Sequence, residues 1–237
     1  MAGERQSVSD TIEWLSFPRQ AYPNFYLNVQ RIDQRFQGYL GSIREFNQSV
    51  EKSVEPNAKV KTVFLEAGVN VGRGTGAEIA YDLAKPLAQA LVLRAYLATV
   101  GELQTDARSA PVTDFVLARG RGALIQPNDV ADSPQWQEGG ISPEVAAEIE
   151  TEQRRQAKHG TGADPEPLYW ATYANTDRGL VVSLLGDASL IGTDARSWSG
   201  VEMTYCIFGQ KIRDWQLWTL LQPLHVWVEP PGKASWG

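Results

Sequence analysis

Apolar residues at Ile32, Phe36, Leu40, Ile43, Phe46 and Val50 recur every three or four positions, the spacing of one face of an α-helix. The short apolar run Phe25–Val29 (FYLNV) just before them reads as a strand leading into that helix. Gly38 and Gly41 fall inside the helical stretch, where each costs up to about 1 kcal/mol relative to Ala, so close packing against a neighbour or a sharp bend is expected there. From Val60 the period changes to two. Val63, Leu65, Ala67, Val69 and Val71 alternate with Phe64, Glu66, Gly68 and Asn70, and the alternation resumes at Ala77, Ile79 and Tyr81 after the Gly72–Gly76 segment. A pair of strands joined across GRGTG is the reading, with Arg73 and Thr75 at the tip of the connection. A second helix follows, with Pro86 in its first turn, Leu87, Leu91, Ala95 and Val100 among its apolar positions, and Gly101 as its stop.

Asp114–Gln126 (DFVLARGRGALI followed by Gln) reads as a strand whose glycines mark a bulge or a tight turn. The stretch 127–167 is a polar insertion. It carries one helix, which opens on Ser142-Pro143-Glu144, a capping hydroxyl, a proline at the first helical position and an acid in the first turn. Lys158, His159 and Gly160 suit its end, and its thin apolar face, Val145 and Ile149, places it on the surface. The remainder is strand-like: Leu168–Ala174, Leu180–Leu185, Val201–Phe208, Trp215–Leu221 and Leu224–Val228, divided by Gly, Asp, Asn and Pro. Met203, Tyr205 and Ile207 fall on one face of their strand with Val201. Trp170, Trp198, Trp215, Trp218 and Trp227 all lie in this last third, as core packing or as an aromatic platform for a planar ligand. The expected fold is a single α+β domain over 1–237. It has a mixed or antiparallel sheet, two main packed helices and a C-terminal Trp-rich antiparallel meander, with 1–20 loosely ordered.

Composition narrows the function. A formal net charge of −6 argues against general nucleic-acid or anionic-lipid binding, both of which need a basic face. No apolar run reaches the roughly 18 residues of a membrane span, and the N-terminus lacks a basic flank followed by an apolar stretch, so a soluble cytoplasmic protein is expected. One cysteine, Cys206, and two histidines leave no nitrogen-and-sulfur metal site, and neither a metal nor a cofactor is implied.

Candidate chemistry is thin. The glycines at 72, 74 and 76 have neither the lysine of a phosphate-binding loop nor the dinucleotide spacing. Arg119 and Arg121 alternate on one side of a strand, and with Arg73 could grip a phosphate or carboxylate; alternatively they are exposed and paired with acids. Asp187, in Gly186-Asp187, and His225, between Leu224 and Val226, are the speculative proton-moving groups, with turn chemistry and a satisfied strand histidine as the plainer readings. His225 is expected on the face opposite Leu224 and Val226, beside Trp227.

The stretches LAKPLAQALVLRAYLATVGEL with DFVLARGRGALI, and LYWATYANTDRGLVVSLLGDASLIG with LLQPLHVWVE, together with the opening FYLNVQRIDQRFQGYLGSI, resemble an uncharacterised actinobacterial-type family. The resemblance spans about residues 25–228 through hydrophobic pattern and glycine placement. This chain has Gly186-Asp187-Ala188-Ser189 where that family has a Gly-Gly-Ser turn. The resemblance implies a link to bacterial conflict, or anti-phage, loci and no catalytic residues. The leading expectation is a non-enzymatic ligand- or protein-binding regulatory module in a bacterial system, whose partner is a protein or a small anionic ligand. The alternatives are an enzyme acting on a nucleotide or other phosphorylated small molecule, with Arg73, Arg119 and Arg121 holding the anion, and a structural subunit of a homo-oligomer.

Overall fold

The computed structural model describes residues 24–52, 86–125, 141–157, 170–186, 191 and 200–229. The expected strand pair on either side of Gly72–Gly76, with Arg73, lies outside the described residues, as do 1–20 and most of 127–167. The chain divides into two compact units, residues 1–21 with 29–103, and residues 22–28 with 104–237. No described helix is long and apolar enough to cross a membrane.

Among the described residues the first unit holds two helices, α1 (Val29–Lys52) and α2 (Pro86–Val100). The predicted periodicity places Ile32, Phe36 and Ile43 of α1 in the buried core. Tyr96 of α2 meets Tyr39 at 6.0 Å and Phe46 at 5.9 Å between ring centroids, and Gln89 donates to Asp33 across the pair. α2 is buried on nearly every side, from Ala88 through Leu97, Arg94 included. It stops as expected at Gly101, whose φ of 78° suits glycine. The Gly101 amide bonds the Ala98 carbonyl and the Glu102 amide bonds the Leu97 carbonyl at 2.8 Å, closing a Schellman cap. The expectation for Gly38 and Gly41 fails: α1 runs unbroken past both, and a Cβ at either would meet nothing within 4 Å among the described residues.

The second unit is a mixed sheet, confirming the α+β class. Its strands are β1 (Asn24–Leu27), β2 (Leu103–Gln104, which straddles the boundary between the units along the chain), β3 (Phe115–Gly122), β4 (Leu124–Ile125), β5 (Trp170–Thr176), β6 (Gly179–Leu185), β7 (Met203–Asp214) and β8 (Trp218–Glu229). They run in the order β2-β3-β7-β8-β6-β5-β4, with β1 beside β8. Because β3 also pairs β5, through Arg121 opposite Asn175, strands β3, β7, β8, β6 and β5 close into a ring. The glycines of β3 permit that closure. A Cβ on Gly120 would lie 2.1 Å from the Asn175 carbonyl oxygen, and one on Gly122 only 1.7 Å from that of Tyr173. They serve backbone approach, where a bulge or tight turn was expected.

Alternation assigns the two faces. Val116, Ala118, Leu124, Ala174, Val181, Leu185, Tyr205, Ile207, Val226 and Val228 cluster within the ring, with Met203 packed against them. Thr172 and Ser183, opposite each other across β5 and β6, are fully buried among them. Burial also pushes the Tyr205 hydroxyl far above the usual tyrosine range, against a smaller opposing pull from the Leu124 backbone. On the outer face, helix α3 (Pro143–Ala157) covers Tyr173, Val182, Leu184, Trp218 and Leu220. Its start is as read from sequence: Ser142 Oγ accepts the Val145 amide at 3.4 Å, and the same hydroxyl holds the Glu144 carboxyl below its ordinary range. Its buried face is wider than Val145 and Ile149, since Ala146, Glu152 and Gln153 are buried too.

Two details of the last third differ from the sequence reading. The strands do not form a simple antiparallel meander, because β6 pairs parallel with β8 while β7 pairs β3 and β8. A two-residue period fixes which face a side chain takes, not which strand lies next door. The two strands expected on either side of Pro223 are also a single strand, β8. The register shifts there: Phe208 faces His225 and Gly209 faces Pro223, leaving Leu224 as the extra residue, whose carbonyl accepts the Asn28 amide at 2.9 Å. A proline without a ladder donor is accommodated at such a bulge, and Gly209 gives it room, since a Cβ there would sit 2.5 Å from the Gln222 carbonyl oxygen.

Candidate functional site: a clamped loop and hairpin tip

Arg119, Arg121 and His225 do share one face, in neighbouring rows across β3, β7 and β8: Leu117, Phe208 and His225, then Arg119, Cys206 and Trp227, then Arg121 and Thr204. Their surroundings differ. Arg121 is engaged by Glu202 through two 2.9 Å contacts, the plainer of its two readings. His225 is buried with its ring 4.8 Å from that of Trp227, on the expected face, and Arg119 is exposed. Arg73 and Asp187 lie outside the described residues. Among the described residues no group of three or more His, Cys, Asp and Glu side chains is gathered as a metal ion would require.

The tryptophans divide between core and surface. Trp218 is fully buried and Trp227 nearly so. Trp215 stacks on Trp218 with centroids 3.9 Å apart and planes 5° from parallel, and the Arg213 guanidinium lies 5.3 Å from the Trp215 ring centroid. These contacts use the ring faces that a planar ligand would need.

A more elaborate construction sits beside that stack, where the chain between β2 and β3 meets the turn joining β7 to β8. Asp106 starts it: its carboxylate accepts the amides of Arg108 at 3.1 Å and Ser109 at 3.3 Å, and pairs with Arg178 of the β5–β6 turn at 3.1 Å. Burial alone would raise the Asp106 carboxyl, but the Ser109 and Arg108 hydrogen bonds and the Arg178 charge leave it below the ordinary carboxylate range. Arg108 then reaches the hairpin turn, where its guanidinium donates to the carbonyls of Trp215 and Gln216 at 2.6 Å each and of Trp218 at 3.4 Å. Beneath the loop, Lys211 is only 1% exposed. Its ammonium donates to the carbonyls of Arg108 at 3.0 Å and Ala110 at 2.6 Å and pairs with Asp214 at 2.7 Å, so the buried charge is matched on every side that a lysine donor can use. Asp214 in turn accepts the Thr219 hydroxyl at 2.7 Å.

The far end of the loop is strained. Thr113 has a φ of 84°, a left-handed conformation that a β-branched residue takes at a cost of order 1–3 kcal/mol. It is held there from both sides: its amide donates to the Lys211 carbonyl at 2.8 Å, and its carbonyl accepts the Gln210 side chain at 2.5 Å. The loop and the turn are thus fixed by far more contacts than a connection needs. Yet they present two large apolar side chains to solvent, Val112 at 52% exposure and Leu217 at 57%. The surface commits its two carboxylates, Asp106 and Asp214, to holding the loop and the turn. What it offers is a rigid backbone with apolar side chains on a polar rim, the chemistry of protein contact.

None of these residues stood out in the sequence. Arg108 and its carbonyl partners are 107 to 110 positions apart, and no local pattern announces them. Neither a protein-family model nor a curated protein matches this chain.

Proposed function

We propose that this chain is a non-enzymatic binding module, and that it engages a protein partner through loop 105–114 and the β7–β8 hairpin tip. The observation that carries this reading is Leu217, 57% exposed on a turn whose carbonyls Arg108 holds in place. Binding costs the ordering of the groups that meet, so a surface already ordered in the free protein retains more of its contact energy. An exposed leucine on a fixed turn is an anchor of that kind, and the strained Thr113 is a further sign of a backbone shaped for something other than stability. The arginine–carboxylate chemistry of an anion enzyme is less well supported, because Arg121 is engaged with Glu202 and His225 is buried.

The test is site-specific photocrosslinking in the cells that make the protein. A crosslinking residue at position 217 is expected to trap a defined protein, and the trapping is expected to fall when Arg108→Ala is added. The same residue at Val201, also exposed in this unit, is the control and is expected to trap nothing comparable. Equal adducts at 217 and 201, or none at 217, would overturn the reading. An adduct only to a second copy of the chain would replace it with self-assembly.

A further inference from the structure

We infer that α3 is a positioning clip for the hairpin tip, a device that regulates the surface proposed above and that rests on that proposal for its purpose. Trp215 stacks on Trp218, and the Arg213 guanidinium lies 5.3 Å from its ring centroid. α3 reaches both of those groups. The Trp218 indole donates to Glu148 at 2.8 Å, and Arg213 lies 3.9 Å from Glu152, which is 3% exposed and gripped by Arg155 at 2.7 and 2.5 Å. The Trp215 amide, in turn, closes the hairpin by donating to the Trp218 carbonyl at 2.8 Å, and the Trp215 carbonyl is one of the groups Arg108 holds.

Spacing makes this arrangement possible. Glu148 and Glu152 are one turn apart, and Val145 and Ile149 are one turn apart beside them, so a single helix edge delivers both carboxylates to the hairpin while its apolar residues seat on the sheet. The apolar seat is small, Val145, Ala146 and Ile149. A 15-residue helix is marginal in water without packing, so α3 is docked and helical or neither. Docked, it holds both of the groups that pack against Trp215. Released, it leaves Trp218 without its Glu148 acceptor and Arg213 without its Glu152 carboxylate, and the tip loses both supports. That is a two-state element whose equilibrium biases a second surface, as a conformational switch requires.

Hydrogen exchange on the full chain, with no partner present, tests the coupling. In Ile149→Asp the amides of 143–157 are expected to exchange faster, and the amide of Trp215 to follow by about tenfold, while the amides pairing β3 with β7 keep their protection. A second variant, Glu148→Ala, leaves the apolar seat in place and is expected to speed Trp215 exchange by a few-fold, which guards against a failure of Ile149→Asp to fold. Fast exchange in α3 with an unchanged Trp215 amide, or an unchanged Trp215 amide in Glu148→Ala, would overturn the inference. Failure to trap a partner at position 217 would remove the binding reading and leave this coupling standing.

Discussion

Gly122 and Gly38 both sit in regular elements, yet their neighbours give them opposite expectations. At Gly122 a Cβ would lie 1.7 Å from the Tyr173 carbonyl oxygen, and that oxygen is backbone in β5, which cannot swing aside as a flexible side chain would. Gly122→Ala must therefore push β3 off β5 where the ring closes, and we expect a loss of about 3 kcal/mol, the upper part of the usual overpacking range. At Gly38 a Cβ meets nothing within 4 Å among the described residues, so Gly38→Ala is expected to stabilise α1 by about 0.5–1 kcal/mol through the unfolded chain's lost freedom. Urea midpoints of the two variants decide the matter, and similar shifts of the same sign would be inconsistent with both assignments. Residue identity alone did not separate the two glycines. Both interrupt an otherwise periodic run, and only the strand that lies opposite Gly122, more than 50 positions away, distinguishes them.

Among the elements, the helices were the most legible, because their signals are local. Pro86 and Gly101 bound α2 as read, and Ser142 caps α3 within three residues of the bond it accepts. The alternation of β7 likewise placed Met203, Tyr205 and Ile207 on one face, but Val201, read as the fourth member, precedes the strand and is exposed. What the sequence could not disclose was pairing: the parallel contact of β6 with β8, the bulge that carries β8 through Pro223, and the ring closure at Arg121 and Asn175 all join distant segments. The loop of 105–114 belongs to the same class, and it carries a pH dependence of its own. Asp106 has a folded-state carboxyl below the ordinary value of about 4, so its contribution to stability is fully present above that range and is lost as pH falls through the lowered value. The stability difference between wild type and Asp106→Asn is therefore expected to be flat above about pH 5 and to shrink below about pH 4, in urea titrations at several pH values. A difference that grew on acidification would reverse the assigned sign.

At the scale of the second unit, a closed ring of strands with α3 on its outer face supplies the rigidity, and one end of it supports a surface that the fold itself does not require. The contacts that hold this surface are long-range: Asp106 to Arg178, Arg108 to the hairpin turn, Lys211 back to the loop. The candidate residues read from sequence, Arg119, Arg121 and His225, instead lie along the outer face of β3 and β8, where Arg121 pairs with Glu202 and His225 is buried. This is why the candidate site was the least legible feature of the chain. Its determinants are a lysine, two arginines and an aspartate, Asp106, whose meaning depends on partners roughly 70 to 110 positions away. A binding surface built from such contacts should be sensitive both at the side chain that reaches the partner and at the one that holds the turn. The deciding measurement is the affinity of the partner trapped at position 217 for wild type, Leu217→Asp, Arg108→Ala and Val201→Asp. We expect a loss of at least about 100-fold for Leu217→Asp, as for removal of a central anchor, about tenfold for Arg108→Ala, and no more than about twofold for Val201→Asp. Affinity indifferent to Leu217, or equally reduced by Val201→Asp, would show that the hairpin tip is not the binding surface.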